Sequence, residues 1–441
     1  MTTRRVVFAL ILLTAVAVAS SPWWWRPEPR PASDVNALAE RYVRLVLALG
    51  QHDRDYVDAY YGPPEWRMEA ELTKVSLDEI DEASVDLAGD LAAIAPAPSA
   101  SESSRLRHQY LTRQLEAFRA RVAILNGTAM RFDEESRALY DAVAPKHTEG
   151  EFLAVLAELE KRLPGAGPLL DRYETYRLRF VIPSARLDAT FRAAIGECRA
   201  RTLKHIDLPD EESFTVEYVT GKTWSAYNWY QGGYRSVIQV NTDLPINADW
   251  AVVLACHEGY PGHHAYNVLL ERNFVRGRGW REFSVYPLFT PQSVIAEGTA
   301  DYGVQVAFPG LDRVAFARSV VFPAAGLDPS TAAGYYDIVD LAERLAPAGD
   351  EAARRYLDGQ IDKAGAVQWL ETYALYSRAR AERRLAFIDQ YRSYIINYSV
   401  GKDIVARWIE SQGGTDANPQ RRWELFENLI SSPRLPSSLV P

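Results

Sequence analysis

The sequence predicts a mainly α-helical protein with a small β-sheet insertion, and three observations carry that prediction. From residue 33 to about residue 201, apolar side chains recur at three- and four-residue spacing, the period of an amphipathic helix. At Ser213 the texture changes: SFTVEYVTG and YRSVIQVNTDLP alternate and are rich in Val, Ile, Thr and Tyr, as half-buried strands are. From Asn247 onward the helical period returns.

The helical part divides at its Gly and Pro clusters. Residues 35–49, 77–94, 105–125, 133–143, 149–162 and 168–196 each carry an apolar stripe and read as helices. Breaks fall at Gly62-Pro63-Pro64, at Pro96-Ala97-Pro98-Ser99 and at Pro164-Gly165, where proline removes a backbone donor and glycine frees the chain. Between the two alternating stretches, KTWSAYNWYQGG gathers Trp224, Tyr227, Trp229 and Tyr230 and ends on two glycines, as a hairpin or small sheet does. The chain therefore divides into an N-terminal helical lobe at 34–212 and a second lobe at 213–441 that holds the sheet and the candidate site. No internal repeat is present.

Ahead of both lobes, Arg4-Arg5 precedes the apolar run 6–19, and Ala17-Val18-Ala19 is a small-residue cleavage pattern. Residues 1–25 read as a signal peptide or an N-terminal membrane anchor. The anchor reading rests on the length of 6–25, just enough to span, and on the Trp23-Trp24-Trp25-Arg26 belt at its end. With no cysteine nearby, a lipoprotein signal is excluded. Residues 26–33 form a Pro-rich linker. Either way the body is exported, to the periplasm or the extracytoplasmic face of the inner membrane. A formal net charge of −9 without a basic stripe excludes nucleic acid as a partner. The two cysteines, Cys198 and Cys256, make no disulfide framework, and Cys256 reads as a small buried apolar side chain. Oligomeric state stays open.

The chemistry gathers in CHEGYPGHHAY, residues 256–266. A helix starting at Asn247 or Asp249 puts Trp250, Val253, Leu254 and His257 on one face, so His257 points where the core points. A zinc hydrolase needs neutral imidazoles in a walled cavity and a carboxylate one residue along that meets the water the ion activates; Glu258 fits that second role. The second histidine, usual four residues after the first, is replaced by Pro261. Pro261 cannot donate to the His257 carbonyl, so the helix must kink or restart. Excising Pro261-Gly262 puts His263 in the vacant slot; His264 is the alternative, seven residues from His257 but about 10 Å along an unbroken helix. Further on, FTPQSVIAEGTADYG places Thr290 as cap, Pro291 at the first helical position, and Glu297 and Asp301 four apart on one face. Glu297 supplies the third ligand, and Asp301 suits a carboxylate holding the free nitrogen of a histidine ligand. These two are the only acids in a run of small and apolar residues, where an unpaired carboxylate pair would be costly to bury. His52, His108, His147 and His205 stand among polar neighbours and read as surface residues.

HEGYPGHH followed by EGTADY resembles the bacterial family called domain of unknown function 885, whose members show a His-Glu-x-x-Pro-Gly-His-His string and a later Glu-Gly segment. The likeness extends to YNWYQGGYRSVIQVNTDLP and to RSYIINYSVGK, and is specific from about residue 213 to 408. It departs after Glu297-Gly298, where the family usually has Trp and Leu and this chain has Thr299 and Asp301. The resemblance implies a multi-helix, gluzincin-like zinc metallopeptidase with the small β-sheet beside the active-site cleft. Under it zinc is the cofactor and His257, His263 and Glu297 are the ligands; Asp301 and His264 are expected behind them. Glu258 is then the general base for hydrolysis of a peptide bond. For the oxyanion donor Arg392, Tyr394 and Tyr398 are candidates, and the resemblance favours Tyr398. The strand at 234–241 is the candidate edge for an extended substrate, with Tyr227, Asn228 and Arg235 along the cleft. Two rival readings remain: a zinc amidase acting on cell-wall peptides, and a catalytically silent, membrane-tethered helical binding protein whose site the Pro-Gly insertion has spoiled.

Overall fold

The computed structural model describes residues 34–439, so the signal peptide or anchor at 1–25 and the linker at 26–33 lie outside the described residues. Among the described residues no helix is long and apolar enough to cross a membrane. The protein is mainly helical with two small sheets.

Local chemistry sets the helix starts. Ser76 accepts from the Glu79 N–H while the Glu79 carboxylate accepts from the Ser76 N–H, a capping box that opens the Leu77–Ala93 helix. The Val35–Leu49 helix buries the stripe read from its sequence, with Leu38, Tyr42, Leu45, Val46 and Leu49 inside. One expectation fails in kind: 168–196 is two helices, Leu169–Leu178 and Ser184–Thr202. Pro183 has no N–H for a continuous helix to use, and Val181 instead bridges to Asn247. The Pro64–Thr73 helix was not anticipated, because its apolar stripe is reduced to Trp66 and Ala70.

Five strands form the sheets: β1 (Val57–Tyr60), β2 (Ser213–Val219), β3 (Ala226–Gly232), β4 (Arg235–Asn241) and β5 (Val285–Pro287). β1 and β5 pair antiparallel as a sheet of their own, and each is too short to show alternation in sequence. In the larger sheet the order is β2-β4-β3, with β4 parallel to β2 and antiparallel to β3. Gly232 and Gly233 turn β3 into β4 at φ 75° and 64°, in the left-handed region that glycine enters freely. This order corrects the expected substrate edge. β4 is central and both its edges are paired, whereas among the described residues β3 pairs with β4 on one side only.

One buried core extends from Leu38 to Leu439. A second joins Phe152, Leu159 and Tyr173 to Leu345, Trp369 and Leu370. Each takes side chains from both sides of residue 212.

Cys198 and Cys256 form a disulfide, with Cα atoms 5.6 Å apart. This corrects the reading of Cys256 as an unpaired apolar side chain. The Ser184–Thr202 helix packs against the turn that carries Cys256, and no spacing rule reveals a pair brought together by tertiary packing. The bond anchors the residue immediately before His257. On the chain-entropy model, a cross-link closing a loop of about 58 residues contributes about 4 kcal/mol. Cys198→Ser should therefore lower unfolding stability by about 4 kcal/mol, measured as a reduced denaturant midpoint, while the unreduced native protein shows no titratable thiol.

Candidate metal centre

The Ala248–Leu254 helix runs directly into a widened π-turn, Ala255–Gly259, that holds His257 and Glu258. Trp250, Val253, Leu254, His257 and Glu258 all line one cavity of about 600 Å³, within the range of small-molecule sites. After the turn the Tyr260-Pro261 peptide is cis, and the Gly262 N–H donates to the Cys256 carbonyl at 3.0 Å. A Cβ at Gly262 would fall 1.9 Å from the His257 carbonyl oxygen, so only glycine lets the chain fold back over the turn. His263 then opens a new helix, His263–Leu270. The Pro-Gly pair thus ends one helix and returns the next histidine to the first.

The His257 ring is held from behind, its Nδ1 donating to Asp301 Oδ1 at 2.8 Å. That aims Nε2 inward, 3.1 Å from His263 Nε2 and 3.2 Å from Glu297 Oε2. His263 Nε2 lies 3.5 Å from the same oxygen, and the three residues form a group able to hold a metal ion. Zinc ligands at about 2.0–2.2 Å from a tetrahedral ion stand about 3.3–3.6 Å from one another, close to these separations. Glu297 Oε2 is buried with no hydrogen-bond partner, an orphan that a divalent cation would satisfy. The charges agree: burial opposes ionisation of Glu297, yet His263 and His257 hold its carboxyl well below the ordinary range. For His257, burial opposes the charged form, but Asp301, Glu297 and Glu258 outweigh it and raise the ring above its usual value.

Glu297 owes its position to a close helix crossing. Its neighbour Gly298, in the Pro291–Ala307 helix, abuts Gly401 of the Ile396–Ser411 helix; a Cβ on Gly298 would lie 2.3 Å from the Gly401 carbonyl carbon. A Cβ on Gly401 would lie 2.6 Å from the Val294 carbonyl oxygen. With the backbones in contact, two tyrosines reach the site. The Tyr394 hydroxyl donates to Glu297 Oε1 at 2.7 Å, and the Tyr398 ring stacks 6.4 Å from the His257 ring. The Tyr398 hydroxyl makes no hydrogen bond among the described residues. Arg392, also weighed as a donor, pairs with Glu135 at 2.7 Å and lies outside the cavity lining.

Glu258 is buried and its carboxyl meets the cavity, while its backbone carbonyl accepts from Asn228 Nδ2 at 2.7 Å. Burial raises the Glu258 carboxyl, His257 and His263 pull it down, and the net displacement is upward, the direction a proton acceptor working near neutral pH requires.

Two expected site residues stand elsewhere. His264 is fully buried, but its Nδ1 meets Ser236 Oγ at 2.8 Å and its Nε2 meets Glu212 Oε2 at 2.9 Å. Consecutive helical side chains diverge by about 100°, so His264 turns away from His263 and ties its helix to β4 and Glu212, not to the ligands. Arg235 is exposed and outside the cavity, because its place on β4 is an outward one, at the end paired with Gly232. Tyr227 and Asn228 do line the cavity, on β3. His52, His108, His147 and His205 are exposed or half-buried and do not line it. Sequence reading missed Asp58, on β1, whose buried Oδ1 has no partner and whose carboxyl is raised well above its usual value by burial, then by Glu297 and Glu258. A four-residue strand offers no signal for it.

No protein-family model matches the chain, and no curated protein matches it in sequence. The chain is similar in fold to a lipoprotein from Colwellia psychrerythraea, at 12% identity and TM-score 0.53, over 94% of this chain and 76% of that one. Weaker likenesses are to a lipoprotein of unknown function from Shewanella oneidensis (13% identity, TM-score 0.44, 91% and 83% covered) and to an M32 carboxypeptidase from Deinococcus radiodurans R1 (13% identity, TM-score 0.45, 89% and 88% covered).

The geometry discriminates the two late histidines. His263→Ala should abolish high-affinity binding of one divalent ion per chain, whereas His264→Ala should leave that stoichiometry intact, both read by elemental analysis of zinc-equilibrated protein. Asp301→Asn should weaken the metal affinity about 10- to 100-fold, measured by competition with a chelator.

Proposed function

We propose that the protein is an exported, zinc-dependent peptidase, akin to the domain of unknown function 885 family that its motifs resemble. The observation that carries this reading is the meeting of His257 Nε2, His263 Nε2 and Glu297 Oε2 within 3.5 Å, beside a buried carboxyl, in one large cavity. In this proposal His257, His263 and Glu297 hold the ion, and the described part of the 213–441 lobe supplies them all. When bound, the ion lowers the pKa of water and polarises a substrate carbonyl.

The chain's own groups do the rest. Glu258 takes a proton from the attacking water and passes it to the departing amine. Asp301 keeps the His257 ring in the tautomer that presents Nε2. The Tyr394 hydroxyl orients Glu297 through its other oxygen. Tyr398, whose hydroxyl is uncommitted, donates to the oxyanion. β3 offers a strand edge unpaired among the described residues for an extended peptide, with Tyr227 and Asn228 on the cavity wall.

Glu258→Gln should lower kcat on a susceptible peptide by about 100-fold or more while zinc content stays at one per chain; full activity in that variant sinks the assignment. Tyr398→Phe should lower kcat about 100-fold with little change in KM, read from steady-state kinetics on the same peptide.

A further inference from the structure

The cavity has a second chemical pole. Besides Asp58, Glu258, Glu297 and Asp301, the cavity is lined by Arg380, Arg383 and Arg384 of the Arg378–Tyr391 helix and by Arg177 and Arg313. Most of these cations are already engaged. Arg177 pairs with Asp249 at 3.3 Å, Arg383 with Asp243 at 3.5 Å, and Arg313 with Asp340. Arg380 lies 4.0 Å over the Tyr376 ring.

Arg380 and Lys402 also line the cavity without an ion pair among the described residues, but of these cations it is Arg384 that has a buried donor with no partner. It lines the cavity, yet among the described residues its guanidinium has neither an ion pair nor a hydrogen bond, and its Nε is buried without a partner. Its neighbours are ring faces, Phe387 at 5.2 Å and Tyr398 at 5.9 Å. Asp350, the carboxyl that feels it electrostatically, is occupied by the Ser399 hydroxyl at 2.5 Å. The surplus positive charge registers on Tyr376: burial would raise the phenol, but Arg380 and Arg384 outweigh it and leave it below its ordinary value. A guanidinium is always charged and its planar fork matches a carboxylate, so this half-buried one, with its Nε buried and open, is suited to take an anion.

Distance fixes where that anion belongs. The Tyr398 ring lies 6.4 Å from the His257 ring and 5.9 Å from the Arg384 guanidinium, which keeps the guanidinium within about 12 Å of His257. Subtracting the contacts at either end leaves room for at most two extended residues at about 3.3–3.6 Å each.

We propose that Arg384 binds a carboxylate of the substrate one or two residues from the bond that is cut. This rests on the peptidase reading for the site of cleavage, but not for the binding itself. The carboxylate is either the free end of the peptide or an acidic side chain, and the same chemistry serves both.

The test reads binding without turnover. Zinc-loaded Glu258→Gln protein is titrated calorimetrically with two matched pairs: N-acetyl-trialanine as free acid and as amide, and N-acetyl-Ala-Ala-Glu-amide beside its Gln counterpart. The expected result is that the carboxylate member of at least one pair binds about tenfold tighter or more than its neutral twin. Preference within the first pair assigns the chain terminus, preference within the second an acidic side chain. Adding Arg384→Gln should bring the ratio to near one, and Arg384→Lys should keep part of it. Equal binding within both pairs overturns the proposal, as does a preference that survives Arg384→Gln. Where Arg384→Gln proves unfolded by melting, the comparison in the parent protein and in Arg384→Lys decides. If the unaltered enzyme hydrolyses no peptide while the preference holds, the peptidase reading fails and the carboxylate site stands.

Discussion

Two imidazole nitrogens and a carboxylate oxygen within 3.5 Å of one another, with His257 and Glu297 buried and His263 half-buried, is the constraint on which the remaining structure depends. Left alone, such a cluster is unfavourable: Glu297 Oε2 is desolvated without a donor, and the acids around it repel. It persists because His257, Glu297 and the turn between the histidines are held from outside the cluster. Asp301 grips the back of His257, Tyr394 grips the other oxygen of Glu297, and Asn228 fixes the backbone at Glu258. Three different segments supply those grips, so the site is a property of the assembled core and not of one motif.

The Pro-Gly insertion acquires a definite role in that assembly. In a regular helix a second ligand four residues after His257 would need no help. Here the helix widens, stops, and is sent back on itself by Gly262, so that His263 reaches its partner from a new helix. The disulfide and Asn228 hold the turn from either side, Cys198 at the residue before His257 and Asn228 at Glu258. An excursion of this kind needs such bracing, because it gives up backbone hydrogen bonds that a continuous helix would keep.

What could be read from the sequence divides along a physical line. Periodic features were legible: Val35–Leu49 buries the stripe its spacing announces, and Glu297 and Asp301 stood out as the only acids on an otherwise apolar helix. That Asp301 would hold a histidine ligand followed from the roles such a ligand requires, and the structure identifies that histidine as His257. Features created by contact between remote segments were not legible. Nothing near Cys198 announces Cys256, nothing in a four-residue strand announces Asp58, and the placing of β4 between β2 and β3 depends on a parallel pairing that alternation cannot express. His264 and Arg235 misled for the same reason, since residue type said polar and useful while direction was set by the helix turn and the strand phase.

The crossing of Gly298 over Gly401 carries a consequence for how such chains should be compared. Glu-Gly and Tyr-x-x-Gly look like two separate signatures a hundred residues apart, and finding both seems to double the support. They are two faces of a single backbone contact: each glycine exists to admit the other, and a methyl group on either would drive the helices apart and carry Glu297 and Tyr394 with them. The two segments therefore form one correlated character, to be counted once, and substitutions at 298 and 401 are bound to vary together or not at all.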